Sequence, residues 1–318
     1  MADEQSYLNE LQHKSARIGS DSARGASLRH PLSVAVRDGV PRHRSLIFTS
    51  AGDHSNLRLW LSDSRKFDLW VTYYGDGRNS YGEAADYYME RKGSKFQNLH
   101  FAYRESPELF AHYDYVMVMD DDVIIDAEGL GRLFDLCKSH DFWACQPAFS
   151  PRGRISWPIT RVSPTCKYRY TSFIEMTCPI FRQDKLAAFM HVYDPVLVGY
   201  GMDWWFLHTM GPDLSGKVAV IDDIVCINPH ERTKSGVREI DRLQPMLTRQ
   251  AVWAEVKKKY GIRGEEQGTR EFLRIRKPLL RGLWDLLVYS TYAVPIWCRR
   301  IPSGVARRLR RKWQEIAG

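Results

Sequence analysis

The stretch Tyr115-Val116-Met117-Val118-Met119-Asp120-Asp121-Asp122 is an apolar run closed by three adjacent carboxylates. A short continuous apolar run of this kind reads as a strand buried on both faces. Three like charges at its end repel one another unless something positive sits among them. In an open α/β sheet, ligands collect at the carboxyl ends of the strands, so the same eight residues decide both the fold and the place of the site. Oxygen-rich groups with open coordination suit Mg²⁺ or Mn²⁺, ions that usually bridge to substrate phosphates. A solvated acidic turn capping the next helix is the plain alternative.

Working outward, Leu46–Thr49 and Phe67–Tyr74 read as two more buried strands, closed by Ser50-Ala51-Gly52-Asp53 and Gly75-Asp76-Gly77. A short helix fits between them, and a third strand is expected over Leu99–Tyr103. Ser106-Pro107-Glu108 carries the cap, the first-position proline and the first-turn acid of a helix start. Past the acids, Asp126 is placed to cap a helix whose apolar face is Leu130, Leu133, Phe134 and Cys137. Strands follow over 141–149, 172–181 and 218–221. A basic, aromatic connection lies over 152–170, and helices are expected at Leu186–Phe189, Met202–Met210 and Thr248–Tyr260. Strands alternating with helices over 45–225 predict an α/β fold, a mostly parallel sheet flanked by helices. Three segments result: a flexible or wrapping arm at 1–44, a catalytic body at 45–265 and a basic amphipathic helical tail at 266–318.

The chain has 318 residues and a net charge of +8. Residues 270–318 hold twelve bases against three acids, which leaves 34 bases and 35 acids in the rest. A nearly neutral body with a +9 tail is not the spread basic face of a nucleic-acid reader, so no nucleic-acid partner is expected. Six cysteines without CxxC or zinc spacing read as reduced core thiols. With no apolar leader and no glycosylation sequon, a cytoplasmic location is expected. In the tail, Leu279–Tyr289 is strongly apolar but interrupted by Asp285 and followed by Pro295, shorter than the ~20 residues that span a bilayer. With Arg307-Arg308-Leu309-Arg310-Arg311-Lys312 behind it, it reads as an interfacial anchor for anionic lipid on the cytoplasmic face, or as a helix packed on the body.

Two further acidic features stand out. Gly199-Tyr200-Gly201-Met202-Asp203 combines a tight turn with an acid that either caps a helix or points into a cleft. Val218-Ala219-Val220-Ile221-Asp222-Asp223 is another strand running into acids, followed by His230, a possible metal ligand as a neutral imidazole. Gly211–Val218 fits GxxxxGK but lacks the hydroxyl and precedes a strand, so it is no nucleotide loop. HExxH and GxSxG do not occur.

These motifs and their order resemble GT-A type glycosyltransferases, and also a poorly characterised transferase-like family of plants and bacteria. The likeness covers about residues 45–232: the acid cluster, Gln146-Pro147, Phe173-Ile174-Glu175-Met176, the Gly199–Asp203 turn and the late Val-Ile-Asp strand before a histidine. It implies a Rossmann-like sheet and a metal-dependent transfer of sugar from a nucleotide-diphosphate sugar to a hydroxyl of a glycan or lipid-linked acceptor, in surface polysaccharide or glycolipid synthesis. By this resemblance Thr49, Ser50, Asp53, Asp76, Asp120 and Asp121 would meet the nucleotide sugar. Asp120, Asp122 and His230 would hold Mn²⁺ or Mg²⁺. Glu175 or Asp203 would face the acceptor, Asp203 being favoured as the base of an inverting reaction. A rival reading is a haloacid-dehalogenase-like phosphatase with Asp120 as nucleophile and Asp222-Asp223 as its later acids. The other is a membrane-surface adaptor with structural acids.

Overall fold

The computed structural model describes residues 35–36, 41–77, 81–230 and 239–300. Nearly all of the expected arm and the basic run at 307–312 lie outside them. Among the described residues ten strands form one sheet: β1 (Ala35–Val36), β2 (Ser45–Ala51), β3 (Asp68–Tyr73), β4 (Tyr87–Glu90), β5 (Tyr115–Asp120), β6 (Ala144–Phe149), β7 (Cys166–Thr171), β8 (Ile180–Arg182), β9 (Val218–Cys226) and β10 (Glu271–Arg276). Their spatial order is β1-β4-β3-β2-β5-β8-β6-β9-β7-β10. β4, β3, β2 and β5 are mutually parallel, as are β6 and β9, and the other pairings are antiparallel. The fold is α/β with a mixed sheet flanked by helices, as expected.

The described helices are α1 (Lys95–Glu105), α2 (Pro107–Ala111), α3 (Ala127–His140), α4 (Gln183–Val192), α5 (Met202–Thr209), α6 (Glu239–Leu243), α7 (Met246–Tyr260), α8 (Gly264–Gln267) and α9 (Leu279–Arg300). Alternate residues of the central strands enter two separate cores. Phe48, Val116 and Val118 pack with Trp70, Phe96 and Phe206 on one face, while Ile47, Met117 and Met119 pack with Leu130 and Phe134 on the other. Burial on both faces is why β5 reads as unbroken apolar sequence. Asp126 caps α3, its side chain accepting from the Gly129 amide at 2.7 Å.

Several elements depart from expectation. Leu99–Tyr103 is not a strand but the middle of α1, because Ser94 and Gln97 form a capping box and Phe96, Leu99 and Ala102 turn inward with helical spacing. The strand in this region is β4, which starts at Tyr87, twelve residues before the expected start. Of 172–181 only the end is a strand, as β8; residues 172–179 form a loop whose backbone bonds partly to side chains, Gln146, Asp203 and Lys95 among them, and partly to the backbone of β5 and of Arg270. The basic connection contains β7. Residues 271–276, assigned to the tail, add to the sheet as edge strand β10 against β7, so the body extends past residue 265.

Candidate functional site

Within the parallel half, β2, β3 and β4 step away in one direction and the chain then crosses back to place β5 on the other side of β2. The gap between the carboxyl ends of β2 and β5 is therefore a topological switch point, where α/β sheets form ligand crevices. Asp120 ends β5 and lies in register with Ser50 of β2. The two loops that leave here are stitched together. The Gly52 amide donates to Asp121 Oδ2 at 3.0 Å, the Asn56 amide to the Asp121 carbonyl at 2.7 Å, and Asn56 Nδ2 to the Asp122 carbonyl at 2.6 Å.

The nucleotide-side residues are all at this end of the sheet, but in different states. Thr49 is fully buried and donates to the Met119 carbonyl at 2.8 Å, and Ser50 Oγ accepts from Asn98 Nδ2 at 2.9 Å. Thr49 thus spends its proton inside the protein, whereas Ser50 uses one lone pair and keeps its own proton, so the expected nucleoside contact loses the Thr49 donor but not Ser50. Asp53 accepts from Tyr73 Oη and from the amides of Asp76 and Gly77 at 3.2 and 3.1 Å, so it shapes the loop after β3. The Tyr73 hydroxyl, ahead of the Asp76 and Gly77 amides, holds the Asp53 carboxyl below its ordinary range. Asp76 turns to Lys92, 2.5 Å away at the surface.

Lys95 gives the acid strand its positive charge. Its ammonium, on a side chain 7% exposed, lies 2.8 Å from Asp120 Oδ1. It also donates to the carbonyls of Met176, Thr177 and Val118 at 2.6, 3.0 and 3.2 Å. An ammonium has three protons, and four oxygens surround this one. No capacity remains for a ligand, so Lys95 positions Asp120 and the 175–177 loop. Nothing in the sequence marked it, because a lysine in the first turn of a helix is ordinary.

That loop carries Glu175. Its amide donates to Gln146 Oε1 at 2.6 Å, and the next amide, of Met176, donates to Asp203 Oδ1. Asp203 reaches it because Gly199 and Gly201 turn with φ of 76° and 79°. The turn is also packed too tightly for a side chain: a Cβ at Gly201 would sit 2.1 Å from the Trp253 ring. Asp203 is the second residue of α5 and not its cap, a place taken by Gly201. Glu175 and Asp203 are thus neighbours, and both are buried. Burial, then the charge of Asp203, pushes the Glu175 carboxyl up to about 8. Burial likewise pushes Asp203 up to about 7, against the opposing pull of the Met176 amide. Among the described residues neither Glu175 carboxyl oxygen makes a close hydrogen bond, and the nearby Thr177 side chain opposes the rise. Arg154, another residue not singled out by sequence, is close enough for its charge to bear on Glu175. It is set by its amide bond to the Asn228 carbonyl at 2.7 Å.

The expected metal trio is not assembled. Among the described residues no three His, Cys, Asp or Glu side chains converge to hold an ion, so Asp120, Asp122 and His230 do not form such a group. Asp120 is drawn to Lys95, and His230 is exposed beyond the end of β9. What the strand end does offer is hard carboxylate oxygen at a ligand crevice. That fits an ion of the Mg²⁺ type, which is held through one or two carboxylates and completed by substrate phosphate and water. The later acids belong elsewhere. Asp222 is buried and doubly bonded to Arg169, at 2.8 and 3.0 Å, and accepts from the Ser163 amide at 2.7 Å. Asp223 pairs with Lys277 at 3.0 Å. The phosphatase reading thereby loses its second acid, and it also needs the first sheet strand where β5 stands fourth in the parallel set.

No protein-family model matches the chain, and no curated protein matches it in sequence. Among solved structures, S. aureus TarS aligns at 12% identity over 67% of this chain and 43% of that one, with a TM-score of 0.42. S. aureus TarS 1-349 in complex with UDP-GlcNAc aligns at 13% identity over 62% of this chain and 60% of that one, also at 0.42. A197 from STIV aligns at 13% identity over 57% and 82%, with a TM-score of 0.33. The chain spans less than half of full TarS. These likenesses are slight, and the fold described above stands on its own strand order.

Proposed function

We propose that the chain is a GT-A type glycosyltransferase that moves a sugar from a nucleotide-diphosphate sugar to a hydroxyl of a glycan or lipid-linked acceptor. The observation that carries this reading is the pairing of two features at one sheet edge. An acid cluster stands at the β2/β5 switch point, and a buried carboxyl pair of raised pKa stands beside it, tied to the acid strand through Lys95.

The donor diphosphate would lie at the switch point, with Asp122 as the principal carboxylate toward Mn²⁺ or Mg²⁺ and Asp120 held beside it. Such an ion, when bound, neutralises charge on the leaving diphosphate. Asp121 and Asp53 order the loops that flank the nucleotide. On the acceptor side, a base works best with a pKa near the operating pH. Asp203, near 7, is the group that takes the acceptor proton, giving an inverting course. Glu175, near 8, is largely protonated at neutral pH and donates a hydrogen bond to the acceptor. An acceptor of surface polysaccharide or glycolipid synthesis suits a protein resting on the cytoplasmic face of an anionic membrane, which the basic tail supports.

The test is a sugar-nucleotide panel beginning with UDP-GlcNAc, the ligand in the TarS complex, read by hydrolysis and by thermal shift with UDP or GDP and Mn²⁺. Stabilisation by one nucleotide, abolished in Asp122→Ala, is the expected result. A protein indifferent to every nucleotide, or an Asp122→Ala variant with unchanged activity, would sink the assignment.

A further inference from the structure

The helix α9 is built inside out. Gly282 lies flat on Thr165, where an added Cβ would stand 3.7 Å from the Thr165 Cα, and Asp285 accepts from Lys277 Nζ at 2.7 Å. Tyr289, one turn further on, packs against the core. This stripe, spaced three and four residues apart, is what the body holds. The apolar residues point the other way. Leu279, Leu283 and Leu286 form one ridge and Leu280, Trp284 and Leu287 the next, each with i, i+4, i+7 spacing. All six are exposed, Leu280 by 83%, Trp284 by 66% and Leu287 by 64%. The helix is thus packed on the body, one of the two expected arrangements, but by this stripe and not by its leucines.

We infer that the first turns of α9 are the membrane-contact face of this protein, laid flat in the interfacial layer of an anionic bilayer. This deepens the membrane part of the function proposed above and rests on that part alone. A contiguous apolar face of this size is uncommon on a surface without a partner. No helix among the described residues is long and apolar enough to cross a bilayer, so the face lies in the interface. Charge selects the occupant. Arg281 sits on the flank of the apolar arc with its side chain 64% exposed, Arg270 and Arg276 are exposed just before it, and residues 270–318 carry +9. Two copies joined through this face would bring two +9 segments together, whereas anionic lipid headgroups neutralise them.

The experiment uses the full chain and vesicles of phosphatidylcholine alone or with one third phosphatidylglycerol, read by co-sedimentation, with light scattering in parallel. The wild type is expected to bind the anionic vesicles at least tenfold more tightly than the neutral ones and to lose that preference in high salt. Leu280→Glu/Leu287→Glu is expected to lower binding at least tenfold while melting at the wild-type temperature, since both side chains are already in water. Unchanged binding by the variant overturns the assignment. So does a wild-type dimer that the variant dissolves, which would make the face a self-association surface. None of these readouts depends on nucleotide or sugar, so the catalytic reading can fail without this one.

Discussion

Replacing Lys95 by Met removes one charge from a place where four oxygens converge. The cost can be apportioned from their surroundings. Asp120 is 42% exposed, so its carboxylate recovers water and contributes little to the loss. The carbonyls of Val118, Met176 and Thr177 lie in the interior, and the Thr177 carbonyl keeps the Asp120 amide at 2.9 Å. Stranding a buried acceptor costs about 1–3 kcal/mol, and breaking a buried pair by removing one partner about 3–5 kcal/mol. Because Asp120 and Thr177 are relieved, the low end applies: about 3 kcal/mol, or roughly 6 °C in Tm for a chain of this size. Lys95→Arg should fall with Lys95→Met, since a planar guanidinium cannot place its donors in a cage shaped for a compact ammonium. Urea melts of the three proteins measure this, and amide exchange of residues 175–177 should quicken in both variants. A Lys95→Met protein within 1 kcal/mol of wild type, or a fully stable Lys95→Arg, would refute the clamp.

Glu175 and Asp203 should make the protein lose stability as pH rises. Both carboxyls keep protons in the folded chain, to about 8 and about 7, where the unfolded chain has lost them near its ordinary values of 4.5 and 3.8. The folded state then binds more protons across roughly pH 4 to 8, and unfolding free energy falls through that window by up to about 1.4 kcal/mol per pH unit for each group. Glu175→Gln should flatten the curve and melt above the wild type at pH 9; a melt below it there would count against the raised Glu175. Gly201→Ala meets both a positive φ and the Trp253 ring, and should cost roughly 3 kcal/mol or more in a denaturant melt. Gly216→Ala, with φ of 68° and open space around it, should cost only about 1–2 kcal/mol, and equal losses at the two sites would remove the packing argument.

Of the parallel half of the sheet, β2, β3 and β5 were legible because they are buried on both faces and end in turn residues or acids, whereas β4 was missed. β5 announces itself as Val116–Met119 followed by Asp120, and α3 by Asp126 and its apolar stripe. Leu99–Tyr103 misled because four apolar or aromatic residues around His100 fit either period; the deciding signal was Ser94-x-x-Gln97, a capping box that sets the helical register from Phe96. β10 was hidden by its exposure. Its outward residues include Phe272 and Leu273, and an edge strand held by one neighbour shows no buried pattern. Of the site, the acids were visible and their partners were not. That Asp120 faces Lys95, and Asp222 faces Arg169, depends on contacts 25 and 53 positions apart, and residue type alone does not report such distances.

Those hidden partners change what the acid run means. Read as sequence, Asp120, Asp121 and Asp122 are three equivalent charges asking for one cation. In the fold they divide. Asp121 is tied to the Gly52 amide, and its backbone to Asn56, so it fastens the β2 loop to the β5 loop. Asp120 is tied to Lys95 and through it to the carbonyls that follow Glu175. A side chain supplied by α1 thus offsets part of the repulsion before any ion arrives, and the chain can fold with its acids in place. The same lysine spans from the end of β5 to the loop bearing the raised carboxyl pair. Any shift of Asp120 toward an incoming cation must then pull on the backbone at Met176, whose amide holds Asp203. Asp120 and Asp203 are three hydrogen bonds apart, through Lys95 and the two sides of Met176, so Asp120→Asn, which weakens the first of those bonds without emptying the cage, should alter the pH at which Asp203 loses its proton. Following that proton by the pH profile of sugar-nucleotide hydrolysis separates a wired site from two independent ones: an unmoved profile means the clamp is only structural.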